Sequence, residues 1–323
     1  MSLPSLAIIV PCYNEQEVLP ETVKQLLAQL TRLQDKNKVS DQSLIYFIDD
    51  GSDDHTWQLL CDYTQEHPGR IAAIKLSRNK GHQNALLAGL MSCKEDITIS
   101  IDADLQDGPE NIEAMVDAYH EGSDVVYGVR TRRETDTPFK RFSAETYYYL
   151  MRKMGVDLIF NHADFRLMSR RAVEALREYR ESQLFLRGIV RELGFNEATV
   201  EYERLTREAG TSKYPLRKML SFAWSGITSF STAPLRAITL MGMAASGLSL
   251  VFLFWVLYIR LFTDNAMPGW TSTLLPLVFI GSVQLVSLGI IGEYLGKLYQ
   301  EIKRRPHYHI SEVRHQAPEI NPR

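Results

Sequence analysis

The sequence predicts an α/β fold, with a mostly parallel sheet domain over residues 1–203 followed by a membrane-bound C-terminal part. Three observations lead there. Short β-rich runs alternate with segments of helical period through the first 203 residues, acidic clusters follow several of those runs, and two long stretches near the C-terminus carry no charge.

The β-rich runs are "LAIIVP", "SLIYFID", "IAAIKLS", "ITISID" and "DVVYGV", and helical segments such as "VLPETVKQLLAQLTRL" and "NIEAMVDAYHEG" lie between them. Repeated βα units favour a Rossmann-like sheet with helices on both faces. In such sheets ligands bind beyond the carboxyl ends of the strands. Here "PCYNE", "DDGSDD" and "DADLQD" follow the first, second and fourth runs. Three strand ends are therefore expected to meet at one crevice.

The composition, 45% hydrophobic and 23% charged over 323 residues, excludes a disordered chain. The net charge of -3 conceals an asymmetry: residues 1–203 carry -10 and residues 204–323 carry +7. Three cysteines without a C-x-x-C pair argue against a disulfide framework and for a reducing compartment.

From Ala237 to Ile259 the chain runs 23 residues without a charge. As a helix that is roughly 35 Å, against a bilayer core of about 30 Å. Leu274–Gly292 is a second such stretch. The expected organisation is a loop, which the family resemblance given below makes the acceptor loop, and a juxtamembrane amphipathic helix over 204–235, a two-helix transmembrane region over 236–296, and a C-terminal tail over 297–323. Lys and Arg flank both spans, while the loop between them has Arg260 offset by Asp264, so the catalytic domain and both termini are expected in the cytosol at the inner (cytoplasmic) membrane. "GEYLG" at 292–296 has the small-xxx-small spacing of helix contacts, a weak sign of a homo-oligomer.

No G-x-G-x-x-G follows a strand and no P-loop signature occurs, so phosphates must be held in another way. Asp102, Asp104 and Gln106 supply hard oxygen atoms suited to Mg²⁺ or Mn²⁺, which takes one or two carboxylates plus substrate phosphates. Asp107 reads as an acid that starts the following helix, with Asn111 as the alternative. His55, His67, His82, His120 and His162 lack metal-ligand spacing and read as ordinary polar contacts. No nucleic-acid partner is expected.

Taken in order, "IIVPCYNEQEVLP", "IDDGSDDHT", "LSRNKGHQNALLAGL", "DADLQDGPE", "DFRLMSRRAV" and "REAGTSKY" resemble the polyprenyl-phosphate glycosyltransferases of glycosyltransferase family 2, which have the GT-A fold. The resemblance covers nearly the whole chain. It is nearer to the bactoprenol (undecaprenyl-phosphate) glucosyltransferase branch than to the dolichol-phosphate mannose synthases. It implies an inverting transfer of a sugar, most simply glucose, from a UDP-linked donor to polyprenyl phosphate, on the way to a cell-envelope polysaccharide. By position it implies that Pro11, Tyr13, Glu15, Ile48, Asp50, Asp102 and Ala103 hold the nucleotide sugar. Asp104 and Gln106, with Asp102, would hold the metal. Asp164 and Asp104 would be catalytic, and Arg207, Lys213, Arg166 and Arg130 would face the acceptor phosphate. A separate flippase and a downstream transferase would handle the product.

Two rival classes stand against this reading. A processive polysaccharide synthase would carry Q-x-x-R-W, and no Trp here follows an Arg. A non-catalytic membrane scaffold with a degenerate nucleotide fold would not need an intact "DADLQD".

Overall fold

Every side chain of Leu6–Cys12 is buried, because this strand runs through the interior of a sheet covered on both faces. The computed structural model describes residues 3–130, 162–179, 181, 186–203 and 270–315, with scattered helical positions between 235 and 262. Two compact units divide the chain. Met1–Tyr148, Asp157–Lys213 and Arg305–Arg323 make up one; Tyr149–Val156 and Tyr214–Arg304 make up the other.

The strands of the first unit are β1 (Leu6–Cys12), β2 (Leu44–Asp49), β3 (Ile71–Leu76), β4 (Ile97–Ser100), β5 (Val125–Arg130), β6 (His162–Ser169), β7 (Glu197–Tyr202) and β8 (Ile310–His315). They form one sheet in the order β7-β5-β6-β4-β1-β2-β3-β8. The pairs β1–β2, β2–β3, β1–β4 and β5–β7 are parallel, whereas β4–β6, β5–β6 and β3–β8 are antiparallel. All five strands expected from apolar runs are present. The other three differ in kind: β6 carries charged residues inside the sheet, and β7 and β8 are edge strands whose exposed positions alternate or dominate.

The helices are α1 (Leu19–Asp35), α2 (Thr56–Glu66), α3 (His82–Ser92), α4 (Ile112–His120), α5 (Arg170–Leu176) and α6 (Leu186–Glu192). Pro20 sits in the first turn of α1, where its missing N–H costs nothing, while Glu21 and Arg32 at the two ends complement the helix dipole. Leu19, Leu26 and Leu30 of α1 are fully buried with Leu6, Ile8 and Val10 of β1 and with Ile112 and Met115 of α4. Each such leucine contributes roughly 1.5–3 kcal/mol of transfer free energy. On the opposite face α3 approaches closely. A Cβ added at Gly89 would lie 2.3 Å from Ile9 Cγ2 and 3.1 Å from Ile48 Cγ1. That proximity explains a glycine in mid-helix, and it seats the start of α3 beside the strand ends. Ser169, closing β6, caps α5 by accepting from the Ala172 N–H at 3.3 Å.

In the second unit, α7 (Trp270–Lys303) runs for 34 residues with Pro276 inside it. Leu277, Leu285, Leu288 and Leu298 are among its exposed apolar side chains. Among the described residues no helix is long and apolar enough to cross a membrane. This finding overturns the expected multi-pass placement in the inner membrane, with the cytosolic orientation of catalytic domain and termini that depended on it. Leu274–Gly292 is not a self-contained apolar helix: α7 continues through Glu293, Lys297, Glu301 and Lys303. The interfacial helix expected over 204–235 lies almost wholly outside the described residues, and the stretch Ala237–Ile259 does so in large part. Residues 310–315, expected in a tail, pair with β3 as the edge strand β8.

Candidate active site

The loops after β1 and β2 are laced together by hydrogen bonds. Asn14 N–H donates to Ser52 Oγ at 3.0 Å, Asp53 N–H to Asn14 Oδ1 at 2.9 Å, Glu15 N–H to Thr56 Oγ1 at 2.9 Å and His55 N–H to Gln16 Oε1 at 3.1 Å. Pro11 and Ile48 are register partners in β1 and β2, and Tyr13 stands exposed just beyond the strand end. The two loops thus form one rigid wall.

Asp50 braces a third loop against that wall. Its buried carboxylate accepts from Lys80 N–H at 2.7 Å and Gly81 N–H at 2.8 Å, clasping the segment that leads from β3 into α3. Its neighbour Asp49 accepts from Ser52 N–H through Oδ1, while Oδ2 is buried without a hydrogen-bond partner. Burial raises the pKa of both carboxyls. Of the two, Asp49 keeps an unspent acceptor.

"DADLQD" forms the facing wall. Ala103 is buried and its carbonyl accepts from Thr22 Oγ1 at 2.6 Å, which ties the loop to α1. Asp104 Oδ1 accepts from Gln106 N–H at 3.2 Å. Asp107, buried to 1% exposure, binds Arg130 and Tyr202 through its side chain and does not cap the next helix; Asn111 makes no side-chain cap either.

Asp102 and Asp164 converge on one nitrogen of His82. His82 Nε2 lies 3.5 Å from Asp102 Oδ1 and 3.6 Å from Asp164 Oδ2. Desolvation pushes Asp102 up to about 6; His82 opposes the shift, and the negative charges of Asp107, Asp164 and Asp104 add to it. Asp164 goes the other way. Burial alone would raise it, but Arg187, bonded to both of its oxygens at 2.9 and 3.0 Å, together with Arg166 and His82, holds it down at about 2. Ser100 Oγ donates to the Asp164 carbonyl, fixing the strand that carries it. His82 and Arg187 are the site residues that reading the sequence missed. The only signals were the lone "GH" opening a helix and one arginine in "LRGIVRE".

The residues fit a divalent cation. Negative charge crowds Asp102, with Asp104 among its sources, and Gln106 on the same loop adds a neutral amide whose oxygen is of the hard kind such a cation takes. Among the described residues no group of three or more His, Cys, Asp or Glu side chains is placed to hold a metal. A cation here would draw its remaining ligands from water and from a bound diphosphate, as Mg²⁺ commonly does.

The proposed acceptor residues are distributed differently. Arg166 lies inside the sheet at 1% exposure, with all three guanidinium nitrogens lacking a hydrogen-bond partner. Arg130 ends β5 and is bonded to Asp107. Arg207 and Lys213 lie outside the described residues.

Comparison with known proteins gives the family of the chain. The chain is 49% identical over 311 residues to the uncharacterized glycosyltransferase YkoT of Bacillus subtilis, covering 96% of this chain and 92% of the relative. It is 37% identical over 304 residues to the bactoprenol glucosyl transferase of Shigella phage SfII, covering 94% and 96%. A solved mannosyltransferase from Pyrobaculum calidifontis, in complex with GDP-Man and Mn²⁺, is similar over 92% of this chain and 85% of its own at 14% identity and a TM-score of 0.46. No residue role carries over at that level. The family model for glycosyl transferase family 2 matches residues 7–177. With a GT-A-like α/β domain, this family match and these relatives, the chain belongs to glycosyl transferase family 2 and is a glycosyltransferase.

Proposed function

We propose that the chain transfers glucose from UDP-glucose to a polyprenyl phosphate such as undecaprenyl phosphate, inverting the anomeric centre. One observation carries the reading: the strand ends bring the Asp102 and Asp164 carboxylates together at one nitrogen of His82. The lipid acceptor and the sugar are supported by the relatives named bactoprenol glucosyl transferases.

Pro11, Tyr13, Glu15, Ile48, Asp50 and Ala103 shape the nucleotide pocket. Asp50 serves it through the loop before α3, whose Lys80 and Gly81 N–H groups its carboxylate holds. Asp102, Asp104 and Gln106 would hold Mg²⁺ or Mn²⁺, which when bound neutralises charge on the departing diphosphate as a Lewis acid. The acceptor needs little help from a base. A phosphate monoester is already anionic near neutral pH, so positioning dominates. Asp164, ionised down to about 2, is too weak a base to remove a proton; its fixed negative charge stabilises positive charge that develops on the sugar ring as the bond to the diphosphate breaks. Arg207 and Lys213 stay in the proposal as grips for the acceptor phosphate, with Arg166 supplying positive potential from within the sheet. The product is a polar sugar on a lipid, so a separate flippase and a downstream transferase follow from its chemistry, and self-association through "GEYLG" belongs to the same proposal.

A panel of labelled nucleotide sugars, incubated with purified protein and undecaprenyl phosphate in detergent, tests the reading. UDP-glucose should give a lipid-extractable, acid-labile label. Transfer from every donor to water alone would refute the lipid acceptor.

A further inference from the structure

Asp107 joins three parts of the chain that are distant in sequence. Its Oδ1 accepts from Tyr202 OH at 2.7 Å, Arg130 Nη2 at 2.9 Å and Arg130 Nε at 3.1 Å. Arg130 and Tyr202 are register partners that end the parallel strands β5 and β7, and Arg130 Nε also lies 3.2 Å from Tyr202 OH. Asp107 follows β4, and β6 separates β4 from β5 in the sheet. The contact therefore reaches across an intervening strand.

The tyrosine ring is not free to move. It meets Phe165 edge-on, with ring centroids 5.5 Å apart at 90°, and the Cα of Gly128 leaves it room, since a Cβ there would sit 2.9 Å from Tyr202 Cε1 and 2.6 Å from Phe165 Cδ1. The loop it holds adopts a backbone that is unfavourable by itself. Leu105, not a glycine, has φ +50°. Such conformations persist where surrounding contacts impose them. One end of the loop is tied by Thr22 to the Ala103 carbonyl and the other by Asp107 to Tyr202 and Arg130. Asp104 and Gln106 lie between the two ties.

The geometry points to Asp107 and Tyr202 as a positioning unit that sets the Asp104–Leu105–Gln106 segment for cation binding, an inference that rests on the metal reading proposed above. Neither residue touches the cation. Both act through the backbone they hold, in the way that outer residues of metal sites orient the ligands. Arg130 neutralises the Asp107 charge that the burial would otherwise leave unpaired.

The test is direct Mn²⁺ binding by electron paramagnetic resonance, with and without UDP, on wild type, Tyr202→Phe and Asp107→Asn, each checked for native circular dichroism at the temperature used. Losing an outer partner of a metal site weakens metal binding by about 10- to 100-fold, and the dissociation constant for Mn²⁺ should rise by about tenfold in Tyr202→Phe and further in Asp107→Asn. Tyr202→Phe keeps the packed ring, so it decides the matter if Asp107→Asn does not fold. A folded Tyr202→Phe that binds Mn²⁺ within about twofold of wild type would overturn the positioning role and leave the metal reading standing. A wild type that binds no Mn²⁺ even with UDP would overturn both.

Discussion

Arg187 holds Asp164 by both carboxylate oxygens, at 2.9 and 3.0 Å, although 23 residues separate them in the chain. The forked geometry fixes the carboxylate plane beside His82, and the guanidinium charge helps hold the Asp164 pKa down at about 2.

Loss of this pair should therefore affect turnover as well as stability. Arg187→Ala leaves Asp164 partly buried and under-compensated, which costs roughly 1–3 kcal/mol and should lower kcat/KM by at least about tenfold. Arg187→Lys should recover little, because an ammonium cannot bond both oxygens in one plane. Full activity in Arg187→Lys, measured with saturating donor, would show that charge alone suffices.

His82 Nε2 lies within 3.6 Å of both the acid after β4 and the acid of β6. His82→Gln should lower kcat by about tenfold and leave the KM for the nucleotide sugar within about threefold, as expected for a group that acts on the charge distribution of the transition state. A rise in the donor KM with an unchanged kcat would place His82 in ground-state binding only.

The acid response of the fold should carry the signature of Asp164. Its pKa is depressed from 3.8 to about 2, so its contribution is complete above 3.8 and is lost as the pH falls through about 2. Glu113, drawn down from 4.5 to about 2 by Lys36 and Lys38, acts in the same direction, and added salt should weaken its part because those partners lie at the surface. Urea denaturation at about pH 5 and about pH 3 should show a smaller acid-induced loss for Asp164→Asn than for wild type. Equal losses would remove Asp164 from the account of acid stability.

Gly51 is required for two separate reasons. Its φ is +69°, and an added Cβ would lie 2.7 Å from the backbone of both Arg78 and Asn79, which cannot give way as a side-chain tip would. Gly51→Ala should cost roughly 1–3 kcal/mol and loosen the Asp50 clasp on the loop before α3, weakening donor binding with it. An unchanged thermal midpoint would contradict this packing.

The strands β1 to β5 were legible because strands covered on both faces must be apolar along their length, and the acids at their ends stood out against that background. β6 was not, since Asp164 and Arg166 put charges inside a sheet: Asp164 is paired by Arg187 of α6, whereas the Arg166 guanidinium is buried with no hydrogen-bond partner. His82 read as a common polar residue for the same reason: nothing in "NKGHQN" reveals that Asp102 and Asp164 approach its ring. Asp107 has the letter of a helix cap, and only the register of β5 with β7 shows that Tyr202 and Arg130 reach it first. The apolar letters of Leu274–Gly292 suggested a span by their run length alone, whereas the helix they join continues into charged turns.

The central claim is that the acids after β4 hold the cation that allows a nucleoside diphosphate to leave. Transfer of labelled glucose from UDP-glucose to undecaprenyl phosphate, measured with Mn²⁺, with excess EDTA, and for Asp104→Asn, tests it most directly. The account predicts loss of product in EDTA, recovery when Mn²⁺ is restored, and a rate at least about 100-fold lower for Asp104→Asn, the scale of losing a principal electrostatic stabiliser. Undiminished transfer in excess EDTA, or wild-type turnover by Asp104→Asn, would contradict it.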